Sequence, residues 1–222
     1  MASGIFRGLL LDMDGVLADT EPLQARAWVV LLERYGIRQD PADYDRWIGI
    51  ANIETSRAVV ESFELRVTPE ALIAEREPVY LELVSRELAP FPGLEACLSQ
   101  LAGVPMAVAT SAGRTEANRV LDVLGFAGFF RAVVTGDDVS RPKPNPEPYL
   151  RGSAALGLTP EACVVVEDSA AGVAAAREAG CHVRAVTTTH RPEALERAHV
   201  IHASTVEALR GVMPLLGVAV PS

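Results

Sequence analysis

Short apolar runs, each followed by polar or turn residues, are the feature that most constrains what this chain can fold into. Four runs are rich in leucine or β-branched residues, and a weaker fifth follows them. Strands of a parallel sheet that is buried on both faces have this nearly continuous apolar character. The predicted strands span residues 5–11, 106–110, 132–135, 163–167 and 182–186.

Helical patterns alternate with these runs from residue 93 onward. Residues 115–124, 147–156 and 170–179 have helical patterns, and each is followed by a glycine, the residue expected just beyond the end of a helix. Alternation of strands and helices along the chain is typical of α/β proteins. It predicts a doubly wound parallel sheet.

The stretch from residue 18 to residue 88 breaks this alternation. It contains helical patterns at residues 23–35, 53–63 and 69–88 and no convincing strand. Prolines and a glycine at residues 90–93 mark the return to the alternating pattern. We therefore expect an α/β core domain from residues 1–17 and 89–222, and an inserted all-helical cap domain at residues 18–88.

Composition and charge exclude several classes of protein. The chain has 222 residues, of which 49% are hydrophobic and 22% charged, as expected for a globular protein with one core and a modest extra module. No apolar run reaches the roughly 18 residues of a membrane span, and residues 1–7 lack the pattern of a signal peptide. The net charge of −9, without any Lys/Arg run, argues against nucleic-acid and membrane partners. We expect a cytoplasmic monomer.

The first predicted strand ends in two acidic residues, Asp12 and Asp14, followed by Gly15. Side chains two positions apart on an extended backbone share a face, and ligands of open α/β sheets bind beyond the carboxyl ends of the strands. Two carboxylates there repel each other unless a cation compensates them, and Mg²⁺ prefers oxygen ligands. One carboxylate can then attack phosphorus while the other moves protons. The structural alternative is an acidic loop that only caps a helix.

Two further strand ends, and the loop after the third strand, carry polar groups suited to the same chemistry. Glu167 and Asp168 close the fourth strand, where Asp168 would reach the metal and Glu167 would support it or ligate it directly. Thr110 and Ser111 follow the second strand, and hydroxyls there can hold phosphate oxygens. Lys143 stands between two prolines, and its ammonium can neutralise the nucleophile and the phosphoryl charge. Each feature alone is also typical of a helix cap or a solvated lysine.

These four features in this order resemble the haloacid dehalogenase superfamily over nearly the whole chain. The family pattern falls here on Asp12 and Asp14, Thr110, Lys143, and Glu167 with Asp168. The resemblance implies a Rossmann-like core of strand order 5-4-1-2-3 with an inserted helical cap. It also implies that Asp12 is transiently phosphorylated, that Asp14 acts as acid and base, and that Mg²⁺ is held by Asp12, the Asp14 backbone carbonyl and Asp168.

The acid at position 14 separates branches of that family. By resemblance, phosphatases and phosphomutases keep it, whereas dehalogenases and phosphonoacetaldehyde hydrolases lack it. The chain is similar to small sugar- and polyol-phosphate phosphatases, and its cap is also similar to that of β-phosphoglucomutase. The mutase pattern has a histidine and an arginine where this chain has Gln24 and Asn52. We therefore expect a phosphatase, with a phosphomutase as the alternative, in which Arg57 would serve as the second phosphate clamp.

Substrate choice is expected to lie in the cap, which would close over a small phosphorylated metabolite. The candidates are Glu21, Gln24 and Asn52, together with Trp28 and Trp47, whose alternative role is to form the core of the cap. A remoter alternative is a non-enzymatic phosphoaspartate signalling or binding protein. The length of the chain, its helical insertion and the acids on its first strand disfavour a receiver domain.

Overall fold

The computed structural model describes residues 5–40, 43–44 and 52–220, and of Asn52 it describes the backbone alone. Six parallel strands form one sheet. They are β1 (Gly8–Leu11), β2 (Met106–Ala109), β3 (Ala132–Val134), β4 (Cys163–Glu167), β5 (His182–Val186) and β6 (Val200–His202). Their order across the sheet is β3-β2-β1-β4-β5-β6.

The predicted sheet is confirmed in its strands and in its order, 5-4-1-2-3. β6 adds a sixth, edge strand beyond β5 that the sequence analysis missed. It is short, and Val200 and Ile201 are partly exposed, so it lacks the continuous apolar run of a buried strand. β1 begins at Gly8 rather than at residue 5.

Eight α-helices are found in the described ranges. They are α1 (Glu21–Arg34), α2 (Asn52–Ser62), α3 (Pro69–Glu87), α4 (Leu94–Gln100), α5 (Arg114–Leu124), α6 (Glu147–Ala155), α7 (Ala170–Ala179) and α8 (Thr205–Val212). The six predicted helices are all present, with bounds shifted by two residues at most. None of the helices in these ranges combines the length and the apolar character that a membrane span requires.

Three hydrophobic clusters hold the elements together. Both faces of the sheet are covered, because Leu9 and Leu11 of β1 belong to one cluster and Leu10 to another. A third cluster is formed by residues from α1 to α3, and it includes Trp28 and Leu72. Helices α1 to α3 therefore share a core of their own, as expected of a helical cap, while the exact domain bounds stay a prediction.

The two connections between the cap and the sheet lie side by side at the end of β1. Ala18 forms isolated bridges with Asp14 and with Pro90. The backbone N–H of Phe91 donates to the carbonyl of Leu17 at 3.3 Å. This arrangement places the acids that follow β1 beside the joint between cap and core.

Candidate active site

The two central strands bring the paired acids of β1 and β4 together. Leu11 pairs with Val166, and the backbone N–H of Asp12 donates to the Val166 carbonyl at 3.0 Å. The residues that follow these positions therefore meet at the carboxyl edge of the sheet. Asp12, Glu167 and Asp168 are all buried there.

Three carboxylates in this buried cluster could hold a metal ion. Oxygens of Asp12, Glu167 and Asp168 lie within 4.8 Å of one another. Burial, opposed by the Lys143 ammonium, raises the pKa of Asp12 to about 7. Burial, together with the charges of Glu167 and Asp12, raises the pKa of Asp168 well above its usual value. Such shifts mean that the negative charge of the cluster exceeds the positive charge of Lys143, and a divalent cation with oxygen ligands would compensate the excess.

Gly15 lets the Asp168 carboxylate approach the chain that follows Asp12. Its φ of +68° lies in the left-handed region, which favours glycine. A methyl group at this position would overlap the Asp168 carboxylate and the Thr189 hydroxyl. A glycine is therefore required after the paired acids for two physical reasons: its backbone conformation and the close approach of a candidate metal ligand.

Lys143 links the two acidic strands. Its Nζ donates to Asp12 Oδ1 at 2.6 Å and to Glu167 Oε1 at 2.7 Å. Burial opposes the charge of this side chain, which is 6% exposed, but the two carboxylates raise the pKa of Lys143 above its usual value. Lys143 therefore presents a permanent ammonium beside Asp12. The Lys143–Pro144 peptide bond is cis.

Both oxygens of Glu167 are occupied by hydrogen bonds. Oε1 accepts from Lys143 and, at 2.7 Å, from the Tyr149 hydroxyl. Oε2 accepts from the backbone N–H groups of Asp168 and Ser169, both at 2.9 Å, and from the Ser169 hydroxyl at 3.0 Å. Although burial opposes its charge, these partners, with Lys143 foremost, lower the pKa of Glu167. Of its two proposed roles, this geometry favours the supporting one over direct ligation of a metal, because Glu167 holds Lys143 in place.

Tyr149 and Gly172 are site residues that the sequence analysis missed. Tyr149 on α6 is fully buried beneath Glu167. Gly172, in the first turn of α7, leaves the space that the Glu167 carboxylate fills, because a methyl group there would overlap it. A glycine so soon after a pair of strand-end acids is the one signal in the sequence that points to this packing.

Asp14 lies apart from the acidic cluster, on the side of the cap. The Thr20 hydroxyl donates to its Oδ1, and the Thr110 hydroxyl lies 3.4 Å from its Oδ2. Thr110 also accepts from the backbone N–H of Ala112 at 3.0 Å, whereas Ser111 is exposed. Burial raises the pKa of Asp14. Its carboxyl group therefore retains a proton at higher pH than an ordinary aspartate, as a general acid requires.

The cap candidates fall into three groups. Gln24 is buried, and Glu21 is half-buried in the first turn of α1. Trp28 belongs to the cap core. Arg57 is exposed on α2, while the side chain of Asn52 and the whole of Trp47 lie outside the described residues.

Comparisons with known proteins agree with this geometry. The model of the haloacid dehalogenase-like hydrolase family matches residues 6–180. Fructose-1-phosphate phosphatase YqaB of Escherichia coli K12 is 33% identical over 175 residues, which cover 79% of this chain and 93% of that protein. Hexitol phosphatase A of the same strain is 35% identical over 186 residues, 81% of this chain and 82% of that protein. A β-phosphoglucomutase structure from Clostridium difficile shares the fold, with a TM-score of 0.77, 24% identity and coverage of 91% and 92%.

Proposed function

The chain belongs to the haloacid dehalogenase-like hydrolase family, and we propose that it hydrolyses phosphomonoesters of a small sugar or polyol with Mg²⁺ as its cofactor. One observation carries the proposal: the buried Asp12 carboxylate lies 2.6 Å from the Lys143 ammonium and inside the acidic cluster. The substrate class is supported by the similarity to phosphatases of fructose 1-phosphate and of hexitol phosphates.

The acidic cluster fits a divalent cation. Asp12 and Asp168 would hold it through their carboxylates, together with the backbone carbonyl of Asp14. The raised pKa values of Asp12 and Asp168 and the close approach at Gly15 support this fit. When bound, Mg²⁺ would neutralise negative charge on the phosphoryl group and on these carboxylates.

The proposed reaction has two steps at phosphorus. An oxygen of Asp12 attacks in line, an Asp12–phosphorus bond forms, and the bond from phosphorus to the ester oxygen breaks. Lys143 and the Thr110 hydroxyl bind phosphoryl oxygens, and the Lys143 ammonium compensates the charge that develops. Water then attacks the aspartyl phosphate, which releases inorganic phosphate and regenerates Asp12.

Asp14 moves the proton in both steps. Its raised pKa lets it donate a proton to the leaving oxygen, and the resulting carboxylate then takes a proton from the attacking water. Its position beside Thr20, where the cap begins, suits this role because the leaving group would lie between Asp14 and the cap.

Phosphate release from a panel of phosphomonoesters, with Mg²⁺ and with a chelator, tests the proposal. The panel should include hexose phosphates, hexitol phosphates, phosphoglycolate and nucleotides. Asp12→Asn should abolish turnover while the variant still folds, whereas Asp19→Asn, at an exposed acid nearby, should retain activity. Turnover by Asp12→Asn would exclude Asp12 as the nucleophile.

A phosphomutase is the second candidate, and the β-phosphoglucomutase fold favours testing it. The same enzyme should be given β-glucose 1-phosphate, with glucose 6-phosphate and inorganic phosphate both measured. We expect phosphate and no isomerisation, because Gln24 is uncharged where the mutase pattern has a histidine. Isomerisation without net phosphate release would replace the phosphatase proposal.

A further inference from the structure

A second polar cluster lies between the cap and the core, and no step of the proposed reaction uses it. Arg76 of α3 is fully buried, and its Nη1 donates to Glu116 Oε1 at 2.9 Å. Glu116 lies in the first turn of α5, and its side chain is 3% exposed. The ion pair therefore joins the cap to the helix that follows the Thr110 loop.

The remaining guanidinium nitrogens of Arg76 have no partner among the described residues. Its Nε and Nη2 are buried without a hydrogen bond. The guanidinium carbon lies 5.3 Å from the centre of the Trp28 ring and 5.0 Å from that of Tyr80, so aromatic faces hold the group in place. Buried donors are rarely left unpaired in native proteins, and the hydroxyl oxygens of a bound ligand would satisfy these nitrogens.

Four other side chains of the cap share this property. Each has a buried polar atom that lacks a hydrogen bond within the described ranges, and the atoms are Gln24 Oε1, Trp28 Nε1, Thr55 Oγ1 and Tyr80 Oη. They come from α1, α2 and α3, the three helices of the cap. Together with Arg76 they offer N–H donors, one amide oxygen that accepts, and two hydroxyls that can each donate or accept a hydrogen bond.

The cluster lies on the side of Asp14 where a leaving group would sit. Burial raises the pKa of Asp14, and the positive charge of Arg76 opposes that rise. After burial, the charge of Asp14 is the next cause that raises the pKa of Tyr80. The first turn of α1 also joins the cluster to Asp14, because the Thr20 hydroxyl donates to Asp14 and the Thr20 carbonyl accepts from the backbone N–H of Gln24 at 3.0 Å.

We propose that this cluster is the subsite for the hydroxyl groups of an uncharged sugar or polyol leaving group, and that Arg76 determines specificity there. The inference rests on the proposed phosphatase function and names residues that choose its substrate. Arg76 Nε and Nη2 and Trp28 Nε1 donate to hydroxyl oxygens, while Gln24 Oε1 accepts from a hydroxyl. Hydroxyls suit the site because each both donates and accepts.

The same arrangement disfavours a second phosphate. The charge of Arg76 is already compensated by Glu116, and the carboxylates of Glu21 and Asp14 also act on this region, since each raises the pKa of Tyr80. The second phosphate of a bisphosphate would therefore lie near carboxylates that repel it. Among the six described residues of the cluster, the only cation is Arg76, and Glu116 already neutralises its charge. We expect monophosphates of polyols to be preferred over bisphosphates of the same carbon skeleton.

Arg76→Lys tests the donor role while keeping the charge beside Glu116. A lysine offers one nitrogen, so the fork of donors is lost. For the best sugar or polyol phosphate of the panel we expect kcat/KM to fall by about 10- to 100-fold. For p-nitrophenyl phosphate, whose leaving group has no hydroxyl, we expect a change of less than about threefold. Arg86→Lys, at an exposed arginine on the same helix, is the matched control, and it should leave kcat/KM unchanged for both substrates.

The pattern across substrates decides between a subsite and a structural role. If Arg76→Lys lowers kcat/KM equally for the sugar phosphate and for p-nitrophenyl phosphate, or lowers it for neither, the proposal is overturned. Glu116→Gln removes the charge that compensates Arg76, and it should raise the ratio of bisphosphate to monophosphate kcat/KM by about tenfold or more. An unchanged ratio would overturn the account of bisphosphate rejection.

Binding separates a failure of this inference from a failure of the phosphatase proposal. The sugar phosphate is titrated calorimetrically into Asp12→Asn and into Asp12→Asn combined with Arg76→Lys. Weaker binding by at least about tenfold in the double variant supports the subsite even if the wild-type enzyme turns over no ester. Equal binding by the two proteins overturns the subsite, whatever the wild-type activity.

Discussion

Replacing Lys143 by methionine should destabilise the protein strongly at neutral pH when no divalent cation is present. The change removes an ammonium that donates to Asp12 and Glu167 and is 6% exposed. Two buried carboxylates then remain without their cation. Breaking a buried ion pair by removing one partner costs about 3–5 kcal/mol. For a chain of this size, about 2–4 °C per kcal/mol translates into a melting temperature about 6–20 °C lower.

The size of this loss should depend on pH. In the wild type the pKa of Glu167 is lowered, so its stabilisation is present above the unfolded pKa and is lost as pH falls through the folded pKa. The pKa of Asp12 is raised to about 7, so protonation of Asp12 favours the folded state below that pH. Without the ammonium both pKa values rise further. The variant therefore takes up protons in its folded state as pH falls from about 7 toward 5, and its deficit shrinks.

Thermal unfolding of both proteins in chelator, at about pH 7.5 and about pH 5, measures the effect. Arg141→Met is the control, because Arg141 lies in the same loop but is 73% exposed and pairs with Glu147 at 4.0 Å. That control should unfold almost as the wild type does. A Lys143→Met deficit that is the same at both pH values, or no larger than that of the control, would refute the reasoning.

Three further predictions concern the same site. Gly15→Ala should cost more stability and activity than Gly157→Ala, because both glycines have a left-handed φ, +68° and +69°, but only the methyl group at 15 overlaps Asp168; equal melting temperatures would contradict this. Mg²⁺ binding measured by calorimetry should weaken by up to about tenfold for each pH unit that the pH falls below 7, since Asp12 must lose its proton to bind the cation, and an affinity independent of pH would contradict it. Lys143 is the only lysine of the sequence, so lysine labelled with nitrogen-15 should give one ammonium NMR signal, and titration below its usual pKa would contradict the ion pairs.

The sheet and the acids at its edge could be predicted because both follow from local patterns. Continuous apolar runs mark buried parallel strands, and the carboxyl ends of such strands meet at one edge. Asp12, Asp14 and Asp168 were therefore expected to lie near one another once the family resemblance implied the strand order. The role of Glu167 stayed open, because it depends on which donors reach each of its oxygens. Those donors include Tyr149, whose position is set by the packing of α6 and not by a motif.

The pairing of Arg76 with Glu116 could not be predicted, for a different reason. The two residues are 40 positions apart and belong to the cap and to the core respectively. Arginine and glutamate on the helices of an acidic, charge-rich surface are usually solvated, and no spacing rule distinguishes a buried pair from an exposed one. Only the packing of α3 against α5 excludes water from both groups. The edge strand β6 was missed because it is partly exposed and contains three residues.

In the proposed reaction, the joint between cap and core couples substrate recognition to proton transfer. Thr20, the residue before α1, donates to Asp14, and Ala18 bridges both Asp14 and the returning chain at Pro90. Arg76, on the cap, also influences the pKa of Asp14. A substrate whose hydroxyls hold the cap in this position would therefore also position Asp14, the proposed general acid, and binding energy remote from phosphorus would be used in the chemical step. Sugar phosphates that lose contacts to the cap should accordingly lose kcat as well as affinity, since Asp14 is then poorly placed to protonate the leaving oxygen.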